Sequence, residues 1–459
     1  MKKMKNKIPV EVGKLYDVEI EGLSHDGLGI ARIDGFLVFV KDALPGERVV
    51  ARITNAKKNY GHGTTMEIIK TTVDRTKPQC FLFDSCGGCQ IQHMNYPSQL
   101  EFKKNIVIRN LEKFAKIENP PVLDVIGMKN PWRYRNKTQI PFGLNENGKL
   151  VAGFYKNRSH EIIDMSSCLV QTEKADAIIA AVKKLACELG IAPYNELQHE
   201  GILRHVVIRV GFKTEQIMVV FVTRTPDLPH KELLCQHLVD KFPAIKSIVH
   251  NVNPQVTNVI FGDRTTTIYG EDYIMDSLDG LDFLISARSF YQVNPVQTEV
   301  LYQIVVDYAN IDNDDVVFDA YCGIGTITLF LARTALAVYG VDIVPDAIRD
   351  AKENARINGL ENVKFEVGAS EVVIPRSIEE GIIPDVIVVD PPRKGCDTAL
   401  LEALITAKPT RIVYVSCDSA TLARDVKILA GGGYKLAAVQ PVDMFPQTSN
   451  VECVALLNS

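Results

Sequence analysis

A chain of 459 residues, 46% hydrophobic and 23% charged, has room for two to four domains, each with its own buried core. Its net charge of −5 taken alone argues against a nucleic-acid partner, but residues 97–160 hold 12 Lys/Arg against 5 Asp/Glu (+7) and residues 1–70 hold 12 against 9 (+3), leaving −15 elsewhere. The basic stretch Met1–Lys7 has no apolar run behind it and no segment approaches the roughly 18 apolar residues of a membrane span, so no secretory signal and no membrane partner are expected; the protein should be cytoplasmic, with its ten cysteines reduced unless they bind metal or do chemistry.

Residues 1–70 read as strands. Val18 and Ile20 alternate with acidic residues, Asp34-Gly35 is a hairpin turn before Phe36, Val38 and Val40, and Pro45-Gly46 marks a turn before Val49, Ala51 and Ile53. Gly27 and Gly29 stand where a small barrel must bend. A β-barrel of OB type is expected, a fold that often binds single-stranded nucleic acid and that also serves purely structural roles. Residues 71–96 form a cysteine-bearing connector.

Residues 97–280 read as a mixed α/β domain. It opens with a helical pattern (Leu100, Ile106, Leu111, Phe114) that carries Lys103, Lys104, Arg109, Lys113 and Lys116. Further on, Trp132-Arg133-Tyr134-Arg135-Asn136-Lys137 interleaves aromatic and basic side chains, which can stack on bases and neutralise phosphates.

Residues 281–459 alternate apolar strands with amphipathic helices. Asn294-Pro295 is a helix start, and Val300, Leu301, Ile304, Val305 and Tyr308 follow at helical spacing. Strands are expected at 316–319, 338–342, 363–367, 386–390 and 412–416, with helical patterns between most of them, which describes a doubly wound parallel sheet. Four of these strands end in Asp319, Asp342, Asp390 and Ser416-Cys417. Ligands of open α/β sheets bind at the carboxyl ends of the strands, so these residues should converge on one crevice.

Each strand end carries its own chemistry. Gly323 and Gly325 let a backbone approach a ligand closely, although Thr328 stands where a dinucleotide fingerprint would have its third glycine. Asp342, about 20 residues on, suits a pair of ribose hydroxyls, which leaves a nicotinamide cofactor and S-adenosylmethionine both open. In Asp390-Pro391-Pro392-Arg393 an arginine replaces the aromatic residue expected of an amine methyltransferase, and Asp390 is left to orient a base edge. Cys417 follows a buried strand, and a helix starting near Thr421 should lower its thiol pKa. A thiolate would serve methylation of uracil, because its addition at carbon 6 makes carbon 5 nucleophilic. A base must then remove the carbon 5 proton, and Glu452, a carboxylate interrupting the apolar stretch 451–457, is the candidate.

Five pieces in order, Phe290-Tyr-Gln292-Val-Asn294, Asp319-Ala-Tyr321-Cys-Gly-Ile-Gly325, Asp390-Pro-Pro-Arg-Lys-Gly395, Ser416-Cys417-Asp-Ser-Ala-Thr-Leu-Ala-Arg-Asp425 and Val451-Glu452, give the chain its resemblance to the bacterial RNA uracil-5-methyltransferase family, 23S ribosomal RNA type with an N-terminal TRAM domain. The resemblance covers nearly the whole chain. It implies an α/β fold whose C-terminal domain (281–459) is a Rossmann-like class I methyltransferase, preceded by an OB-type TRAM barrel (1–70) and a central RNA-binding domain (97–280). It implies Gln292, Tyr321, Asp342 and Asp390 as contacts of S-adenosylmethionine, Cys417 as nucleophile, Glu452 as proton acceptor, and the 132–137 stretch near the RNA-binding face. Spacing alone lets four cysteines hold Zn²⁺ or an iron–sulfur cluster; the resemblance implies that Cys80, Cys86, Cys89 and Cys168 hold a 4Fe–4S cluster. Two departures are Asn450, where the family often has His, and Ser419, where it often has Pro. RNA is the expected partner, 23S ribosomal RNA favoured over tRNA because the tRNA enzyme usually lacks both the TRAM domain and the cysteine cluster, and the protein is expected to be a monomer. A non-catalytic RNA-binding assembly factor would predict loss of Cys417, Glu452 or the cofactor acids, and a nicotinamide oxidoreductase would need a complete glycine fingerprint.

Overall fold

The computed structural model describes residues 8–157 and 159–459; the basic stretch Met1–Lys7 noted above lies outside the described residues. The contacts group the chain into two compact units rather than four: one comprises the described residues up to Ile106 together with Gln447–Asn450, the other Val107–Pro446 with Val451–Ser459. Among the described residues no helix is long and apolar enough to cross a membrane.

The first unit contains six strands paired in the order Leu15–Glu19, Arg48–Ala56, Tyr60–Lys70, Phe36–Lys41, Gly29–Ile33, Gly22–Leu23. All neighbours are antiparallel except Phe36–Lys41 with Tyr60–Lys70. Alternation selects the core: Val18, Ala31, Val38, Val40, Val49, Ala51 and Ile53 turn inward. At the expected hairpin, Asp34 (φ +48°) and Gly35 (φ +79°) both adopt the left-handed conformation that a two-residue turn with the right twist requires. At Gly29 an added Cβ would lie 2.9 Å from Ala43 Cβ, so only glycine allows the strands to meet there. The connector and the first part of the helix Tyr96–Asn110 belong to this unit, because Ile91, Met94, Phe102 and Ile106 bury against Leu23 and Leu44. The carboxylate of Glu47, almost fully buried, holds the connector through Arg75 (2.6 Å). Segment 447–450 joins through Gln99, which donates to Gln447 Oε1 at 3.0 Å and accepts from its backbone N–H at 3.1 Å. Lys103, read from sequence as part of a basic helix face, is instead fully buried, since it falls on the stripe that packs inward.

The second unit carries two large sheets. The central one runs Arg264–Gly270, Ile245–Val252, Ile217–Thr223, Leu203–Val210, Lys137–Leu144, Leu150–Ala152, flanked by the helices Glu173–Glu188 and Lys231–Lys241. A hairpin, Tyr273–Leu278 with Leu281–Ser286, follows it. The C-terminal sheet has seven strands in the order Val363–Val367, Ala337–Asp342, Val316–Ala320, Val386–Val389, Arg411–Ser416, Glu452–Asn458, Lys435–Val442. The first five are parallel and match the strands expected from sequence to within a residue at either end. Near-continuous burial of the inner strands is what makes them read as apolar runs, while Val363–Val367 at the edge is only partly buried. The last strand of the chain, Glu452–Asn458, is inserted antiparallel between Arg411–Ser416 and Lys435–Val442. Helix Pro295–Ala309 starts as predicted, with Asn294 Oδ1 accepting from the Gln297 N–H at 3.3 Å and Pro295 in the first turn.

Candidate active site

The parallel strands end in a group of carboxyls, Asp319 buried and Asp342 and Asp390 half-buried. Asp319 is completely buried; its Oδ2 accepts a 2.5 Å hydrogen bond from Thr328 Oγ1, and its Oδ1 has no partner. Burial, helped by Asp390 and Asp342 and opposed by the Thr328 bond, pushes this carboxyl up to about 7. Thr328 is thus no failed glycine of a dinucleotide fingerprint; it holds the carboxyl beneath the turn. In that turn Tyr321 (φ +70°), Gly323 (φ +56°) and Gly325 (φ +84°) all take left-handed conformations, which costs a non-glycine residue such as Tyr321 about 1 kcal/mol or more. The turn aims the Gly323 N–H at Asp342 Oδ2 (3.0 Å), while Asp342 Oδ1 accepts from the Val344 N–H (2.8 Å). Each Asp342 oxygen keeps a lone pair for a further donor. The glycine turn, the fixed Asp342 carboxylate and the orphaned Asp319 oxygen fit a cofactor that brings ribose hydroxyls and a positive charge.

Gln292 is buried, and its backbone carbonyl accepts from Asn136 Nδ2 at 3.0 Å. Among the described residues no hydrogen bond joins its side chain to the aspartates. Tyr321 is half-buried beside Cys396, and burial raises its phenol above the ordinary range. Asp390, one residue past its strand, is pushed up to about 7 by burial.

Cys417 and Glu452 meet through the antiparallel insertion. Val415 pairs with Val454 and Ser416 with Cys453, so the next step of the register puts Cys417 opposite Glu452. Glu452 is 4% exposed, its Oε2 has no hydrogen-bond partner, and burial with Asp390 drives its carboxyl well above the usual range while Arg393 opposes this. The expected lowering of the Cys417 thiol is not what the structure shows. Burial, then Glu452 and Asp390, push it up to about 11, and Arg393 offsets only part of this. The helix Ser419–Gly431 does begin two residues after Cys417, but its first free N–H groups are taken by the Asp418 carboxylate, which accepts from Ala420 (2.9 Å) and Thr421 (3.1 Å). The helix terminus is therefore already neutralised on Cys417's own neighbour.

Two further residues complete the site. Asp425, fully buried, accepts from Tyr414 OH (2.7 Å), the Cys396 N–H (2.9 Å) and Arg424 Nε (2.7 Å), fastening the 390–396 loop to the Cys417 helix. Tyr302, almost wholly buried, shares a 3.0 Å hydroxyl contact with Thr326 and feels the charges of Asp390, Asp319 and Glu452. In sequence Tyr302 stands in an apolar helical pattern and carries no signal, while Asp425 closes the 416–425 motif without revealing what it anchors.

The cysteine expectation fares differently. Cys80, Cys86 and Cys89 are half-buried in the first unit, Cys86 Sγ accepts from the Gly88 N–H at 3.4 Å, and the Cys86 thiol is raised mainly by burial and also by Cys80. Cys168 belongs to the second unit, where its N–H donates to Asp176. Among the described residues no three His, Cys, Asp or Glu side chains are grouped so as to hold a metal ion. Asn450, in the first unit, donates to Thr448 Oγ1 from its backbone at 3.3 Å.

Comparison with known proteins follows this geometry. The family model of the TRAM domain matches residues 9–66, and that described as tRNA (Uracil-5-)-methyltransferase matches residues 179–459. An uncharacterized RNA methyltransferase of Halalkalibacterium halodurans is 53% identical over 453 residues, 99% of both chains. Another, of Bacillus cereus, is 52% identical over 450 residues, 98% of both. Among solved structures, the Pyrococcus abyssi tRNA (uracil-54, C5)-methyltransferase in complex with S-adenosyl-L-homocysteine is 30% identical with a TM-score of 0.77, covering 96% of this chain and 99% of that one.

Proposed function

Since the chain belongs to the tRNA (uracil-5-)-methyltransferase family and is an S-adenosylmethionine-dependent RNA methyltransferase, we propose that it forms 5-methyluridine in 23S ribosomal RNA, with Cys417 as nucleophile and Glu452 as proton acceptor. The observation that carries this reading is the sheet register, which sets a thiol opposite a carboxylate with Asp390 and Arg393 acting on both.

Cys417 Sγ, ionised by loss of its proton to solvent, adds to uracil carbon 6. The Arg393 charge favours both the thiolate and the enolate that forms as electron density moves to carbon 5. S-adenosylmethionine supplies the electrophilic methyl group that carbon 5 takes. Glu452 then accepts the carbon 5 proton, the carbon 6–sulfur bond breaks, and Cys417 recovers its proton from solvent. Glu452 must be ionised at that step; burial opposes this, while the Arg393 charge favours it. Gln292, Tyr321, Asp342 and Asp390 hold the cofactor, Asp342 through its ribose hydroxyls, and the TRAM unit contributes RNA affinity.

A second reading, tRNA as substrate, is favoured by the archaeal tRNA enzyme, which matches 96% of this chain, so the N-terminal unit does not discriminate between the two RNAs. The test incubates enzyme and S-adenosylmethionine with two transcripts containing 5-fluorouridine, one of 23S domains and one of tRNA. Fluorine at carbon 5 cannot leave as a proton does, so a covalent adduct should survive denaturing electrophoresis, and the transcript that traps names the RNA class. An adduct that persists in Cys417→Ala would sink the mechanism.

A further inference from the structure

Three cations stand together in the central sheet with no acid among them. Lys137 opens its strand directly opposite Arg209 in the antiparallel register, and opposite residues share a face of the sheet. Arg135, two residues earlier, donates its Nε to the Lys137 carbonyl at 2.9 Å. Arg209 is 3% exposed; its Nη2 donates to the carbonyls of Ala287 (3.2 Å) and Ser289, and its Nε is buried without a partner. Among the described residues none of the three makes an ion pair with a carboxylate. Burial, then the charges of Arg209 and Arg135, pull the Lys137 ammonium down to about 7.

Like charges facing each other across a ladder are destabilising, and burying them unpaired costs more. The arrangement makes sense if an anion completes it. Its position says which anion. Asn136, between Arg135 and Lys137, donates its backbone N–H to Val293 O (2.9 Å) and its Nδ2 to Gln292 O (3.0 Å), so the cluster adjoins the segment that leads to the cofactor crevice. The cofactor's carboxylate is a poor match, because an ammonium sits on the adjacent carbon and three cations would repel it. A phosphodiester brings negative charge without a positive neighbour.

We propose that Arg135, Lys137 and Arg209 form a subsite for one backbone phosphate of the RNA, next to the uridine being methylated. This rests on the reading that the chain binds RNA, and the experiment separates the two. Full-length protein, Lys137→Met and Lys137→Arg are titrated with the 23S and tRNA transcripts by fluorescence anisotropy over a range of salt concentrations. S-adenosyl-L-homocysteine affinity is measured in parallel by calorimetry. Lys137→Met should bind RNA about tenfold more weakly with a salt slope smaller by about 0.7, the loss of one single-strand phosphate contact, while its cofactor affinity is unchanged and Lys137→Arg behaves as wild type. Arg135→Gln provides the same reading should Lys137→Met not fold. Unchanged RNA affinity and slope in the variants would overturn the subsite. So would weakened cofactor binding with an unchanged RNA slope, which would assign the cations to the cofactor carboxylate. Wild-type protein that binds neither transcript would instead remove the RNA reading itself.

Discussion

At the scale of single residues, the site holds its reactive groups in their unreactive forms. Cys417 is a thiol pushed up to about 11 and Glu452 a carboxyl held well above its usual range, because both are buried beside other acids. Below its pKa a thiol's ionised fraction rises tenfold per pH unit, so formation of the 5-fluorouridine adduct should accelerate about tenfold per unit between pH 7 and 9. Single-turnover adduct formation measured by quench flow gives this slope. A flat profile would mean that RNA binding has already drawn off the proton. Glu452 acts after the methyl has moved, so Glu452→Gln should still transfer the methyl group yet leave the enzyme covalently attached to ordinary, non-fluorinated RNA. Label from methyl-labelled cofactor should run with the protein on a denaturing gel; free product at the wild-type rate would assign the base to another residue.

Whole elements place these residues, and they differ in how plainly the sequence announces them. The inner parallel strands are legible because burial on both faces forces continuous apolar runs, whereas Val363–Val367 at the sheet edge is only partly buried, and the polar strand ends stand out against the apolar background. Glu452 is legible for the same reason, as a carboxylate in an otherwise buried strand. The strand Lys435–Val442 is not: its first half alternates exposed and partly buried residues and Pro441 lies within it, as suits the edge of a sheet. The pairing of Cys417 with Glu452 lies in a register between segments 35 residues apart, which no local pattern encodes. Asp425 is legible as the end of a family motif, but what it anchors shows only once its partners are known. Its role predicts a large effect. Asp425→Ala would leave Tyr414 OH and the Cys396 N–H buried without an acceptor, a loss of about 3 kcal/mol. The thermal midpoint should drop and methylation slow together, while Asp425→Asn, which keeps one acceptor, should lose markedly less. Equal midpoints for Asp425→Ala and wild type would show that the loop does not depend on this anchor.

Over the molecule as a whole, the concentration of acids at one sheet end ties stability and cofactor choice to pH. Asp319 and Asp390 rise from the ordinary 3.8 to about 7 in the folded protein. Below pH 3.8 both states carry these protons; as pH rises towards 7 the unfolded chain releases them and the folded chain does not. Stability is therefore lost across that window and is level above it, by at most about 4 kcal/mol for Asp319. Asp319→Asn keeps an oxygen for Thr328 to donate to and removes the titration, so its thermal midpoint should change less than that of wild type between pH 5 and pH 8; parallel profiles would clear Asp319 of the effect. The sulfonium of S-adenosylmethionine reverses the balance, because a bound cation favours the ionised carboxylates that burial disfavours. Affinity for S-adenosylmethionine should accordingly rise from pH 6 to pH 8, while that for S-adenosyl-L-homocysteine, whose sulfur is neutral, changes much less. Calorimetry at the two pH values gives the ratio directly, and Asp390→Asn should flatten it. A ratio that stays constant in the wild-type protein would mean that these carboxyls do not face the sulfur, and that the preference for the charged cofactor arises elsewhere in the crevice.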